Sequence, residues 1–330
     1  MKQKFLQLAY ISCCFSLFLL LNGCKKEEYA IPTPKDELQN DALKRTLGPN
    51  IVGQQIEFVY AMAMPQAKGK LVSAEVEASI PGASSTYLEN NSYYTGSNGA
   101  DVAVLVGTPS VNSGAKTTVT FSKDTNAAAL RYYYVIPEAA RGKTVSFTFR
   151  AKSSDGSTVS YNLGPYTIAK MDMVRNLTVS DGNAMYISIA DTTVYNAAGA
   201  AANPGKIDLV YVYRALTNVA YNHSLVSPAA DPSYLPGVSL PSGVNRSAKE
   251  IKVFNLQDYN LARLQYGIYI DDLDFQKLDM SSAPNFAINL KQEAGVWVET
   301  ADGKYRAYIY MNSVNNTTKS AVISMKRYAM

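Results

Sequence analysis

Beyond residue 50, apolar and polar residues alternate with the two-residue period of half-buried strands. Ile56-Glu57-Phe58-Val59-Tyr60 and Leu71-Val72-Ser73-Ala74-Glu75-Val76-Glu77-Ala78 both read this way. In residues 130–136 the pattern puts Leu130, Tyr132, Tyr134 and Ile136 on one face, with Arg131 and Tyr133 on the other. Further strands are predicted at 101–106, 117–121, 185–189, 207–213, 251–254, 286–290, 296–300, 304–311 and 321–328, each bounded by Gly, Pro, Asn or Asp. Helical spacing is nearly absent. Residues 256–266 read as a short helix, and 267–270 as a strand running into a helix start at Asp271-Asp272-Leu273-Asp274. Residues 195–205 read as an Ala/Gly/Asn loop, and 225–245, with Pro228, Pro232, Pro236 and Pro241, as an irregular connection.

Two hairpins fix their own register. Joining 144–153 to 157–163 through a two-residue Asp155-Gly156 turn would oppose Phe149 and Asn162 and mix the faces. A three-residue loop, Ser154-Asp155-Gly156, instead aligns Phe147 with Leu163, Phe149 with Tyr161 and Ala151 with Val159, and gives Gly156 the positive φ of a bulged turn. In the second hairpin Asp302-Gly303 is the turn, which sets Val298 against Ala307 and Val296 against Ile309 on one face. Trp297 then opposes Tyr308, and Glu299 opposes Arg306, on the other face, with Tyr310 beyond them. Short strands with turn signals at this spacing predict an all-β protein of two tandem immunoglobulin-like β-sandwiches, at residues 47–170 and 171–330.

The first residues follow a different rule. Lys2 and Lys4 precede an apolar run over 15–21, and Leu21-Asn22-Gly23-Cys24 closes it. This is the layout of a secretory signal, and its end reads as a lipobox. Residues 1–23 are then removed and Cys24 becomes the acylated first residue. The apolar run is shorter than the roughly 20 residues that span a bilayer. Residues 24–46, from Lys25-Lys26-Glu27-Glu28 through Pro32 and Pro34, read as a solvated tether.

Composition narrows the chemistry. The 330-residue chain carries a formal charge of +4, of which Lys2 and Lys4 supply two, so no basic field points to nucleic acid. Cys13 and Cys14 leave with the signal, so Cys24 has no partner for a disulfide. His223 is the single histidine, which closes most routes to zinc and to Ser-His or Cys-His catalysis. Residues 107–116 resemble a phosphate loop only loosely, without the strand–helix context it needs. Asp271, Asp272 and Asp274 could be part of a calcium site. They lack the glycine and distal glutamate of a calcium loop and read better as acidic residues at a helix start. No catalytic residue, metal or cofactor is assigned.

Trp297, Glu299, Arg306, Tyr308 and Tyr310 are the candidate ligand residues. Aromatic rings with polar rims suit sugars, whose C–H faces stack on rings while hydroxyls bond to Arg and Glu. The competing reading packs these rings under a loop or against the first domain, or makes them cross-strand pairs.

Arg45-Thr46-Leu47-Gly48-Pro49-Asn50-Ile51-Val52-Gly53, residues 132–142 (Tyr-Tyr-Tyr-Val-Ile-Pro-Glu-Ala-Ala-Arg-Gly) and residues 207–214 resemble an uncharacterised family of Bacteroidetes-type outer-membrane lipoproteins. The charged cluster after Cys24 likewise resembles the surface-export signal of such proteins. The resemblance implies a β-rich protein anchored in the outer membrane through the acyl chains on Cys24 and facing the cell exterior, encoded among glycan-uptake machinery. It carries over no catalytic residue. The expectation is a non-catalytic binding protein that captures a glycan for a surface uptake system, with those uptake proteins as partners. The alternative is a structural or adhesive surface protein, such as a pilin-like subunit, favoured by an unpaired edge strand or by an N-terminal strand removable after Arg45. A hydrolase ranks third.

Overall fold

The computed structural model describes residues 35–264 and 267–330. The lipobox, Cys24 and the tether up to Pro34 lie outside the described residues. The protein is nearly all-β, as the alternation predicts, and its sheets pack face to face as β-sandwiches.

In the first sandwich one sheet runs Gln39–Lys44, Gln55–Ala63, Ala127–Val135, Tyr87–Leu88. The facing sheet runs Thr158–Thr167, Thr144–Ser153, Leu71–Ala78, Lys116–Thr120, Val111–Ser113. The inward positions are those the alternation marks: Phe58, Tyr60, Leu130, Tyr132 and Tyr134 meet Val76, Phe147 and Phe149, all buried. The Phe58 ring lies 4.7 Å from Phe147 and 5.4 Å from Phe149, tilted or edge-on, as ring quadrupoles prefer.

The second sandwich pairs Asp172–Ser180, Ser320–Ala329, Tyr305–Asn315, Ala294–Glu299, Lys249–Phe254 with Thr193–Tyr195, Tyr186–Ser188, Leu209–Arg214, Asn222–Val226, Phe286–Leu290. Val296, Val298, Ala307, Ile309 and Ile323 face Ile187, Val210, Val212 and Leu225 across its core. Both predicted hairpin registers are present. Phe147 pairs with Leu163, Phe149 with Tyr161 and Ala151 with Val159, and Gly156 takes φ +89°. Trp297 pairs with Tyr308, and Glu299 with Arg306.

Three expectations need correction, and a fourth needs qualification. The tether does not extend to 46: Gln39–Lys44 pairs antiparallel with Gln55–Ala63, and Leu38 and Ala42 are buried. With so few apolar residues among polar ones, this strand looks like spacer in the sequence. The strand predicted at 101–106 is present as Asp101–Leu105, with Val106 in the first core, although its apolar residues are not all buried. Asp101–Leu105 pairs only with Asn91–Thr95 in a two-stranded ribbon, leaving Val104 and Leu105 exposed. The Ala-rich loop contains a helix, Ala197–Ala202, because Asn196 caps it through Gly199 N–H at 2.8 Å. The strand expected at 267–270 is a single bridge, Ile268 with Asp258.

Residues Glu37–Met330 form one compact unit. A third hydrophobic cluster joins its two ends: Ile51, Ala169 and Met171 pack with Leu261, Ile270, Phe275, Met280, Trp297, Tyr308, Tyr310 and Tyr328.

Candidate functional site

The structure closes the aromatic face of the second hairpin. Trp297 is 7 % exposed, Tyr310 4 % and Tyr308 fully buried. Phe275, from the helix Asp272–Lys277, lies edge-on to Trp297 with centroids 5.4 Å apart and stacks on Tyr328. The polar atoms expected to hold a ligand hold the protein's own chain instead. Arg306 donates to the Phe275 carbonyl at 2.5 Å and pairs with Glu299 at 2.8 Å, and the Tyr308 hydroxyl donates to the Leu256 carbonyl. Burial works against the Glu299 charge, yet Arg306 and Lys249 together hold its carboxyl below the usual range. Strand alternation assumes one solvent face. Here a covering segment buries the second face, so Trp297, Glu299, Arg306, Tyr308 and Tyr310 do not present the open stacking surface that alternation implied.

The acidic run starts the helix. Asp271 caps it through Leu273 N–H at 2.8 Å, and Asp274 returns a bond to Asp271 N–H at 2.8 Å. Asp272 accepts from the backbone N–H groups of Lys170 and Met171 at 2.7 and 3.2 Å. Among the described residues, no cluster of three or more metal-ligating side chains occurs. His223 is buried, with Tyr211 hydroxyl 2.6 Å from Nδ1 and Asn316 Oδ1 2.8 Å from Nε2, and burial lowers its pKa.

The covering segment carries the candidate site on its outer edge. Asp258 caps the short helix Tyr259–Ala262 and is itself fully buried. Lys326, equally buried, donates to Asp258 Oδ2 at 2.7 Å, Ile270 carbonyl at 2.8 Å and Asn260 Oδ1 at 3.0 Å. Those bonds use all three donors of the ammonium. Asn312 adds a bond to the Leu261 carbonyl at 2.9 Å. Burial lowers the Lys326 pKa, and the neighbouring Asp258 charge opposes that shift. Polar side chains beneath the segment thus fix the described parts of this loop, 258–264 and 267–270, on the sheet.

That loop forms one wall of a cavity of about 610 Å³. Tyr259, Asn260 and Tyr269 face a second wall made by Arg45, Thr46, Leu47, Pro49, Asn50, Ile51, Gly53, Gln54, Gln55 and Glu57. The two tyrosine rings lie 5.0 Å apart, tilted. Arg45 and Glu57 pair at 2.7 Å on the opposite side. Gly48 is required where the walls meet: its φ is +78°, and a Cβ there would lie 2.2 Å from the Tyr269 ring. A second space of about 300 Å³ is lined by Arg175, Tyr259, Asn260, Arg263 and Leu264, so Tyr259 and Asn260 border both. Arg175 reaches back across the junction to Gln54 Oε1 at 3.1 Å.

Residues 35–168 match the domain of unknown function DUF4466, and residues 169–330 match the domain of unknown function DUF8576. A crystal structure of a DUF4466 family protein from Parabacteroides merdae is 47 % identical, covering 90 % of this chain and all of that one, with a TM-score of 0.84. The chain belongs to the DUF4466 family. Two other solved structures share less with this DUF4466 protein. The 35 kDa C-terminal fragment of the major pilin GBS80 of Streptococcus agalactiae has 13 % identity and a TM-score of 0.29, over 48 % of this chain and 66 % of that one. An exo-β-N-acetylglucosaminidase mutant from Vibrio harveyi has 9 % identity and a TM-score of 0.20, over 89 % and 40 %. Likeness that slight carries no argument. Comparison with curated proteins finds no match. Among the described residues of this DUF4466 protein, no helix is long and apolar enough to cross a membrane.

The alternation pattern misses Tyr259, Tyr269, Asn260, Gln54, Arg175 and Arg263, because a cavity assembled from distant segments leaves no local signature. One signal was present. The stretch 45–53 that carries the family resemblance supplies much of the second wall.

Proposed function

We propose that the protein is a non-catalytic, lipid-anchored surface protein that captures a glycan in the cleft between residues 45–57 and 259–269. One observation carries this reading: paired tyrosine rings face an Arg45–Glu57 pair and the amides of Asn50, Gln54, Gln55 and Asn260 across about 610 Å³. That volume falls in the range of about 300–1,000 Å³ for small-molecule sites. Tyrosine offers an apolar ring with a polar tip, and carboxylate, guanidinium and amide groups supply the donors and acceptors that sugar hydroxyls need. Lys326 has bound Asn260 Oδ1, which leaves the Asn260 amide N–H groups for a ligand. Leu21-Asn22-Gly23-Cys24 supports acylation at Cys24 and an outer-membrane position facing the exterior, where a surface uptake system is the partner. Stable anchoring takes more than one acyl chain, which a diacylated cysteine provides.

A glycan array probed with protein beginning at Lys35, which retains every strand of both sandwiches, tests the reading. Binding to a defined glycan, lost in Tyr259→Ala and Tyr269→Ala but kept in Trp297→Phe, is the expected outcome. Binding unaffected by either tyrosine would remove the cleft from the account.

A second reading, a structural or adhesive subunit, has one observation in its favour. Gln39–Lys44 is an N-terminal edge strand that ends just before Arg45. Cleavage after Arg45 would bare the ladder edge of Gln55–Ala63 for a strand from another copy. Protein beginning at Thr46 that forms concentration-dependent polymers would favour it.

A further inference from the structure

We propose that Arg175 and Arg263 form an anion-reading end of the cleft and hold a carboxylate or sulfate carried by an acidic glycan. This rests on the capture reading above and narrows it to a substrate class. Arg175 and Arg263 line the same 300 Å³ space, close enough for their charges to interact, beside Tyr259 and Asn260, which also border the larger cavity. Among the described residues, neither has a carboxylate partner: the Arg175 side chain bonds only to Gln54 Oε1, and that of Arg263 bonds to nothing. The nearby acids are committed, Asp258 to Lys326 and Glu57 to Arg45. Two like charges sharing a concave, partly buried space repel each other, and an anion between them turns that repulsion into paired, charge-assisted hydrogen bonds.

The backbone supports the placement independently. Arg175 sits at a bulge, where pairing with Ser320–Ala329 slips between Val174 and Leu177 and Asn176 takes φ +60°. Bulges re-aim side chains out of a ladder. The irregularity is held in place, since Asn176 N–H donates to Ser324 Oγ at 3.2 Å and that hydroxyl donates to Asn312 Oδ1 at 2.6 Å. Arg263 ends the short helix in the left-handed region, at φ +54°, where glycine is the usual occupant. A guanidinium-bearing side chain rather than a hydrogen stands there. Burial and the Arg263 charge both push the Arg175 pKa down, so its proton is held less firmly than in a surface arginine. A bound anion would reverse that shift.

Calorimetric titration of protein beginning at Lys35 tests the inference with matched probes: trigalacturonate against its neutral methyl ester, a sulfated galactan tetrasaccharide free of uronic acid against its desulfated, uncharged form, and inorganic sulfate alone. One acidic probe should bind at least about tenfold more tightly than its neutral match, with the preference shrinking as salt rises. Arg175→Gln or Arg263→Gln should erase the preference, Arg175→Lys should restore part of it, and Lys291→Gln, an exposed lysine elsewhere, should leave it intact. Inorganic sulfate alone should bind far more weakly, because it lacks the sugar. Equal binding of acidic and neutral probes, or a preference that survives both Arg→Gln variants, overturns the inference and leaves glycan capture standing. Sulfate binding as tightly as the oligosaccharides overturns it in favour of a simple anion site. Failure of every glycan, neutral or acidic, removes the capture reading itself and this inference with it.

Discussion

Lys326 fixes the wall that carries Tyr259, Asn260 and Tyr269, and its replacement by methionine should loosen that wall at a measurable cost. The ammonium and the Asp258 carboxylate are both fully buried and 2.7 Å apart. Methionine keeps the apolar stem but removes the charge. Asp258 would retain the backbone N–H groups of Leu261 at 3.0 Å and Ile270 at 2.7 Å, while losing its counter-charge. Breaking a buried pair from one side costs about 3–5 kcal/mol. For a unit of this size, at about 2 °C per kcal/mol, that is a fall of roughly 6–10 °C in Tm. Urea melts of Lys326→Met, Asp258→Leu and the double variant form the assay. Each single variant should lose several kcal/mol, and the double should recover a large part of the sum, because no orphaned charge remains. Hydrogen exchange should accelerate first in residues 258–270. A Lys326→Met protein within about 0.5 kcal/mol of wild type, or a strictly additive double variant, would refute the claim that this pair holds the segment.

The remaining predictions follow from single features. Glu250 is fully buried, and burial holds its pKa well above the ordinary value against a smaller opposing effect of the Ser227 backbone. Its stabilising contribution is intact below the unfolded-state pKa of about 4.3 and is lost as pH rises toward the folded-state value. Stability of Glu250→Gln should therefore match wild type near pH 4 and exceed it at neutral pH, as read by urea melts across pH. Gly48→Ala, with its Cβ 2.2 Å from Tyr269, should cost about 1–3 kcal/mol and displace the ring, lowering glycan affinity along with stability. Trp297, as the single tryptophan, should emit at short wavelength and resist acrylamide quenching; a red-shifted, quenchable spectrum would reopen the hairpin face as a binding surface. Cys24→Ser should abolish palmitate labelling and release the protein from membranes.

How far the fold was legible depends on how local its determinants are. The registers of 144–167 and 294–315 could be read because turn chemistry and face consistency act within one hairpin: Gly156 admits the positive φ, and a slip would bury Asn162 against Phe149. The covering segment was not legible. Leu261, Ile270, Phe275 and Met280 follow no helical or strand period, and what holds them down is polar: Arg306, Tyr308, Asn312 and Lys326 reaching backbone carbonyls or Asp258. Such a segment reads as loop in any period analysis. For the same reason the aromatic face of 294–311 was read as open, although its rings make up much of the third core. The candidate site is one step less legible still, because its two walls come from stretches far apart in the chain that meet at contacts such as Gly48 with Tyr269 and Ile51 with Leu261 and Ile270.

A glycan bound in the cleft that residues 45–57 form with Tyr259, Asn260 and Tyr269 should leave a footprint on both walls. Hydrogen-exchange mass spectrometry on the protein with and without a glycan selected on the array tests it most directly, because it locates binding without assuming the residues. Binding in the cleft should slow exchange in peptides covering 45–57 and 258–264, with no change in the ribbon 91–105. Protection confined to that ribbon or to Gln39–Lys44, with the cleft unchanged, would contradict it.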